Sequence, residues 1–278
     1  SKIPDLVRRA KELNMPAVGI TDHGNMHGAY EMWSTAVKEG VKPIIGIEAY
    51  VTPETARQDQ TRVSWDTNWN PDIDPQHRRR NPNDVSGGGL ITHLTMWAET
   101  DEGLVNLMKA STDANLEGRV MRYPRMDKEI LAKYSKGIIA SSGCPSGIIQ
   151  TRLLLGQFDE ALRAAGELQD IFGRDNFYIE FMDHGLKIEK QVTDGLLDIA
   201  KKLNAPLLAT NDSHYVRAED AGSQDAMLCI NSGSTLDEPG RFKFDGTGYY
   251  LKSAEEMREL FKDIPEACDN TLEIAERC

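Results

Sequence analysis

The chain of 278 residues has no run of apolar residues long enough to cross a bilayer and no signal-like N-terminus, so it reads as a soluble, cytoplasmic protein with no membrane partner. Cysteine is scarce. The four present (Cys144, Cys229, Cys268 and Cys278) lie far apart with no CxxC pair, which excludes a zinc ribbon and a disulfide framework and fits a reducing compartment. Positive charge is also short: 32 Lys and Arg against 44 Asp and Glu leave a net charge of −12. Nonspecific nucleic-acid binding is mostly phosphate neutralisation by Lys and Arg, so contact with DNA requires bound metals or a neighbouring domain to supply the cations. No glycine-rich phosphate loop follows the first strand-like run, and no internal repeat or low-complexity tract is present.

What is present is a steady alternation of short apolar runs and helical patterns. Leu6, Val7, Ala10 and Leu13 recur at helical spacing over Pro4 to Leu13, and the run Ala17 to Thr21 follows as a buried strand. Further strands read over Pro43 to Val51, Leu90 to Ala98, Gly137 to Ala140, Phe177 to Phe181 and Pro206 to Ala209. Helices read over Gly28 to Lys38, Asp101 to Ala114, Asp127 to Tyr134, Pro145 to Leu155, Phe158 to Phe172 and Lys187 to Leu203. Beyond Val216 the pattern is mainly helical, apart from the Gly- and aromatic-rich turn Phe242 to Tyr250. Unbroken apolar strands separated by helices predict a parallel sheet covered on both faces, and the length allows one large α/β domain or two small ones. The polar stretch from about 53 to 89 is too long for an ordinary connection and reads as an inserted, mobile loop.

On a closed parallel barrel the residues just past each strand converge on one face. Here those positions hold Asp22-His23, Glu48, Cys144, Glu180 and Asp212-x-His214, and His93 lies inside a strand-like run. Alternate residues leaving a strand project the same way, so Asp212 and His214 can grip one cation or two adjacent ones. Glu48 ends an apolar run, where a carboxylate is costly to bury unless paired or metal-bound, though a solvated strand end remains open. Taken singly, His93 also fits a hydrogen-bonded core histidine and Cys144 a small buried hydrophobe. Together these positions point to one polynuclear metal site, with His184 at its rim. His27 reads as surface, and His77, beside Arg78-Arg79-Arg80, as solvated loop. Asp72-Ile73-Asp74 is similar to paired polymerase aspartates but sits among prolines with no flanking strand, and reads as loop.

Gly19-Ile20-Thr21-Asp22-His23-Gly24-Asn25, Ile45-Gly46-Ile47-Glu48-Ala49-Tyr50, Gly143-Cys144-Pro145-Ser146-Gly147, Ala209-Thr210-Asn211-Asp212-Ser213-His214-Tyr215 and Phe242-x-Phe244 resemble the polymerase and histidinol phosphatase (PHP) domain of bacterial, actinobacterial-like, DNA polymerase III alpha subunits. The resemblance covers essentially the whole chain and implies a single domain over 1–278, a distorted (β/α)7 barrel with up to three zinc or manganese ions. It carries His23, Glu48, His93, Cys144, Asp212 and His214 over as ligands, with Asp22 as their neighbour; Glu180 and His184 are candidates to surround them by position alone. Such domains begin with a strand bearing His-x-His and a following Asp; the chain starts past that point, so the first strand and three ligands are expected to be absent, in a fragment of a longer polypeptide.

The implied activity is metal-dependent phosphodiester hydrolysis, a 3′-to-5′ exonuclease proofreading during DNA replication, with no separate nucleophilic side chain. The implied partners are primer-template DNA, reached through the remainder of the alpha chain, together with the sliding clamp and other replisome subunits. Magnesium for nucleotide addition belongs to a polymerase domain outside this chain. Two competing readings are a non-catalytic scaffold bracing the polymerase and a stand-alone phosphoesterase.

Overall fold

The computed structural model describes residues 1–66, 81 and 83–278. His77, Arg78-Arg79-Arg80 and Asp72-Ile73-Asp74 lie outside the described residues. Eight strands, β1 (Ala17–His23), β2 (Lys42–Val51), β3 (Thr92–Ala98), β4 (Arg119–Val120), β5 (Tyr123–Met126), β6 (Ile138–Ser141), β7 (Phe177–Phe181) and β8 (Leu207–Ala209), form one sheet in the order β4-β5-β2-β3-β6-β7-β8, with β1 also on β2. The sheet curls on itself. Residues of β1 and residues in and just past β8 line one cavity of about 570 Å³, while among the described residues no pairing joins these two strands. The result is a mixed α/β barrel left open between β1 and β8.

Two features depart from the expected all-parallel sheet. β3 runs antiparallel to both of its neighbours, β2 and β6, whereas β1–β2, β6–β7 and β7–β8 are parallel. Parallel neighbours need a crossover, usually a helix, but antiparallel ones do not, and the described residues between β2 and β3 form no helix. Reversal has a consequence for the site, because it brings the beginning of β3, with His93, to the rim reached by the ends of β2 and β6. The second departure is the hairpin β4–β5, in a stretch to which the sequence pattern assigns no element; its second strand extends the β2 edge where β1 stops, through Tyr50↔Arg125 and Val51↔Met126.

Helices cover the outside. α1 (Ile3–Glu12) and α2 (Ala29–Glu39) bury Leu6, Val7, Ala10, Met32 and Ala36 against Val18. The larger core joins Ile47, Leu94 and Met96 of the sheet to Leu107 and Ala110 of α3 (Asp101–Glu117), Ala161 and Ala165 of α6 (Phe158–Phe172), and Leu196 and Ile199 of α7 (Lys187–Leu203). Each large aliphatic side chain fully buried there contributes roughly 1.5–3 kcal/mol. α4 (Lys128–Tyr134) is capped by Asp127, which accepts from the Ile130 amide, and α5 (Ile148–Leu154) follows β6. After β8 come α8 (Ala221–Ser232), α9 (Ala254–Leu260) and α10 (Pro265–Arg277). α10 spans the open side at the end remote from the site: Asn270 donates to the Leu207 carbonyl of β8, and Lys42 at the start of β2 donates to the Ala275 carbonyl.

The described parts of the long connection are tied down. Arg125, fully buried, donates to the carbonyls of Arg57, Asp59 and Leu90. Glu54 accepts from Arg152 and Arg163, and Arg152 stacks over the buried Trp65 ring at 4.5 Å. A polar, proline-bearing sequence signals the lack of regular structure but not these docking contacts.

Candidate metal centre

Glu48 is the hub. The parallel register sets His23, the last residue of β1, opposite Glu48 in β2, while antiparallel β3 pairs His93 with Tyr50, two residues further on. His93 Nδ1 lies 2.6 Å from Glu48 Oε1, and His23 Nδ1 lies 3.1 Å from Oε2. The segment after β6 runs along the start of β3, where the His93 amide donates to the Ser146 carbonyl, and this brings Cys144 Sγ to 3.5 Å from Glu48 and 3.3 Å from His93 Nδ1. Glu48, His93 and Cys144 each offer a ligand atom within 4.8 Å of the others.

The electrostatics follow from this geometry. Burial alone raises the Glu48 pKa, but hydrogen bonding and charge from His93, with further help from His23 and Cys144, outweigh it and hold the carboxyl at about 2. Burial, and then the charges of Glu48 and Asp212, push the Cys144 thiol well above its usual range. A cation held by Glu48, His93 and Cys144 would reverse that balance, since a coordinating thiol is deprotonated outright.

Asp212 and His214 form a second limb, on the segment after β8. Asp212 adopts a left-handed backbone with φ of 44°, uncommon for a residue other than glycine and typical of constrained functional positions. His214 Nδ1 donates to the Asp212 carbonyl at 2.7 Å, and its ring lies 6.0 Å from that of His23, so His23 stands between the limbs. Asn211 pins the turn by donating to the Tyr250 carbonyl and accepting from Lys252. His184 completes the clamp. Its Nε2 contacts the Asn211 carbonyl at 2.8 Å, its Nδ1 contacts Glu189 at 2.6 Å, and its ring stacks on Tyr249. With both nitrogens engaged and the side chain 1% exposed, His184 braces the turn and presents no free nitrogen to an ion.

Glu180, fully buried, accepts from the Ser141 and Thr210 hydroxyls and the Gly143 amide, linking the ends of β6 and β8 beneath both limbs. Burial raises its pKa to about 7. Asp22 accepts from the Gly28 amide at 2.7 Å ahead of α2, and His27 is exposed.

The model of the PHP domain matches residues 1–184. The chain belongs to the PHP domain family. Across its whole length it is 52% identical to the DNA polymerase III subunit alpha of Mycobacterium tuberculosis, 54% to that of Saccharopolyspora erythraea and 38% to that of Borreliella burgdorferi. The chain spans 22–23% of the length of these relatives. Asp212 and His214 lie beyond the family match but inside the region shared with these relatives.

The PHP site also has a flank that the sequence pattern does not single out. Tyr50 packs 5.5 Å from the His93 ring and 5.1 Å from Tyr123 of β5, and Arg122 at the hairpin turn lies over the Tyr123 ring at 5.3 Å. Gly24 makes this packing feasible. With φ of 68°, it leaves room for Tyr50, where an added methyl would sit 2.5 Å from the ring. On the opposite limb Phe244 packs edge-on to His214 at 4.6 Å. A glycine immediately after the Asp-His pair is the single sequence signal of the Tyr50 contact; nothing local marks Tyr123.

Proposed function

We propose that this PHP chain is a metal-dependent phosphodiester hydrolase acting as a 3′-to-5′ exonuclease in DNA replication, within a DNA polymerase III alpha subunit like those it is similar to. The observation that carries the reading is the convergence of Glu48, His93 and Cys144, with His23 on the second oxygen of Glu48. Imidazole, thiolate and carboxylate donors are a set that suits zinc, and the imidazoles and carboxylates also suit manganese. His23, Glu48, His93, Cys144, Asp212 and His214 would hold the cations.

A bound divalent cation supplies Lewis acidity toward a phosphate oxygen and lowers the pKa of its water. The chain's own groups set the conditions for that chemistry. Glu48, held ionised, accepts a hydrogen bond from His93 and lies in ion-pair reach of His23, and so helps to orient both rings. Glu180 and His184 hold the two limbs at a fixed separation from below. Primer-template DNA, the remainder of an alpha subunit, the sliding clamp and other replisome subunits are the partners this reading calls for, since an acidic chain needs cations from elsewhere to retain DNA.

The test is excision of a mispaired 3′-terminal nucleotide by purified full-length protein carrying Asp212→Asn or His214→Ala. Excision should fall on the order of a hundredfold or more, because a missing ligand costs more than the 10–100-fold typical of outer contacts. Unchanged excision in either variant removes the reading.

A further inference from the structure

We propose that Tyr50, Tyr123 and Arg122 form a nucleotide shelf beside the metal centre, on which the unpaired base next to the scissile phosphate stacks while Arg122 takes an adjoining phosphate. The inference rests on the phosphodiester reading above and names the substrate as a single-stranded 3′ end. Three observations carry it. The rings are continuous with the site, stepping from His93 to Tyr50 at 5.5 Å and from Tyr50 to Tyr123 at 5.1 Å. Tyr123 is part-exposed on the short hairpin, so a flat group can reach it, whereas Tyr50 is backed by Gly24 and holds the Tyr123 ring edge-on.

Third, Arg122 is an exposed cation that donates to the Tyr123 hydroxyl at 3.2 Å and has no carboxylate in ion-pair reach among the described residues. Many of the chain's arginines are already committed: Arg57, Arg152, Arg163, Arg241 and Arg277 all pair with carboxylates. In a chain of net charge −12, a guanidinium with no carboxylate partner among the described residues, two rings along from His93, is where a polyanion gains attraction. An aromatic face joined to a cation is the pairing by which single strands are held without sequence preference, and a base inside a duplex cannot use it because both of its faces are occupied.

The probe is a short single-stranded oligonucleotide with 2-aminopurine at its 3′ terminus and a hydrolysis-resistant phosphorothioate as last linkage, added to manganese-loaded full-length protein. Stacking should quench the terminal fluorophore, Tyr123→Phe should retain the quench, and Tyr123→Ala should lose it and weaken binding about tenfold or more. Arg122→Ala should weaken binding and lower the salt dependence by about one counterion. Arg122→Glu, at the exposed turn, repeats the test should Tyr123→Ala fail to fold. Quenching and affinity that are the same in wild type and variants overturn the shelf. Excision that persists with no such quench leaves the hydrolase reading standing without the shelf; a Tyr123-dependent quench with no excision leaves the shelf and removes the nuclease.

Discussion

Burial alone raises the pKa of Glu48, yet two imidazoles hold it ionised, whereas Glu180 accepts from hydroxyls and an amide, and burial, with the charges of Asp212 and Glu48, raises its pKa to about 7. The two should leave opposite marks on stability. A carboxyl raised in the folded state binds more protons folded than unfolded between its ordinary pKa and about 7, so its contribution is full below the ordinary value and is lost as pH rises through about 7. For Glu180 the span corresponds to at most about 3 kcal/mol. Glu48 works the other way: its contribution is present above the ordinary carboxylate range and fades as pH falls toward about 2. Metal-free protein carrying Glu180→Gln should therefore show a flatter melting-temperature profile between pH 4.5 and 7 than wild type. A variant whose slope matches wild type through that window would show that Glu180 is ionised throughout. The Glu48 position was legible in the sequence because a charge closing an apolar run requires a partner. The bracing role of His184 was not, since nothing near it in sequence announces that Asn211 sits against its ring.

At the scale of elements, apolar runs and helical spacing locate the long strands and most helices, because periodicity reports burial and burial is what those elements share. Direction is a different matter. An apolar run such as that of β3 reads the same in either sense, and its antiparallel pairing with β2 leaves no mark on the residues of the run itself. The hairpin β4–β5 escapes notice because its strands are too short for any alternation to register. Long-range charge pairing is equally silent in sequence, and it governs the connection between β2 and β3. Glu54 holds Arg152 at 2.6 Å, with Arg163 and Lys128 on its other oxygen, at a place where the Arg152 side chain is 10% exposed. Removing that carboxylate leaves a buried guanidinium without its counter-charge, a loss of about 3 kcal/mol. Glu54→Ala should lower stability in chemical denaturation by that order and expose 52–66 to limited proteolysis, while Glu129→Ala, an exposed partner of Arg57, should change little. Equal effects from the two would mean that the pairing is not what docks the segment. An added methyl at Gly103 would lie 1.7 Å from the Gly137 carbonyl, so Gly103→Ala should separate the start of α3 from the turn before β6, costing about 1–3 kcal/mol in the same assay.

For the whole molecule, the decisive quantity is how much of its stability resides in the cations proposed for its rim. Among the described residues no pairing closes the barrel between β1 and β8, and His23, with a side chain 46% exposed, stands between Glu48 and His214 at the rim. Without cations, the rim gathers an ionised Glu48, the Asp212 carboxyl and a protonated Cys144 with no metal charge to balance them. A ligand that binds the folded state alone stabilises it by mass action, about 4 kcal/mol at a thousandfold excess over its dissociation constant. For a chain of this size that is a rise in melting temperature of roughly 10 °C. Chelation followed by titration with zinc or manganese should recover such a rise, and Glu48→Gln, which leaves the shape of the site and removes its hub charge, should abolish most of it. The same titration separates the two roles a PHP centre can have here. A rise in stability accompanied by excision activity supports catalysis. A rise with none means that the cations brace the barrel, and the absence of any rise with any divalent metal means that these six side chains do not share ions at all.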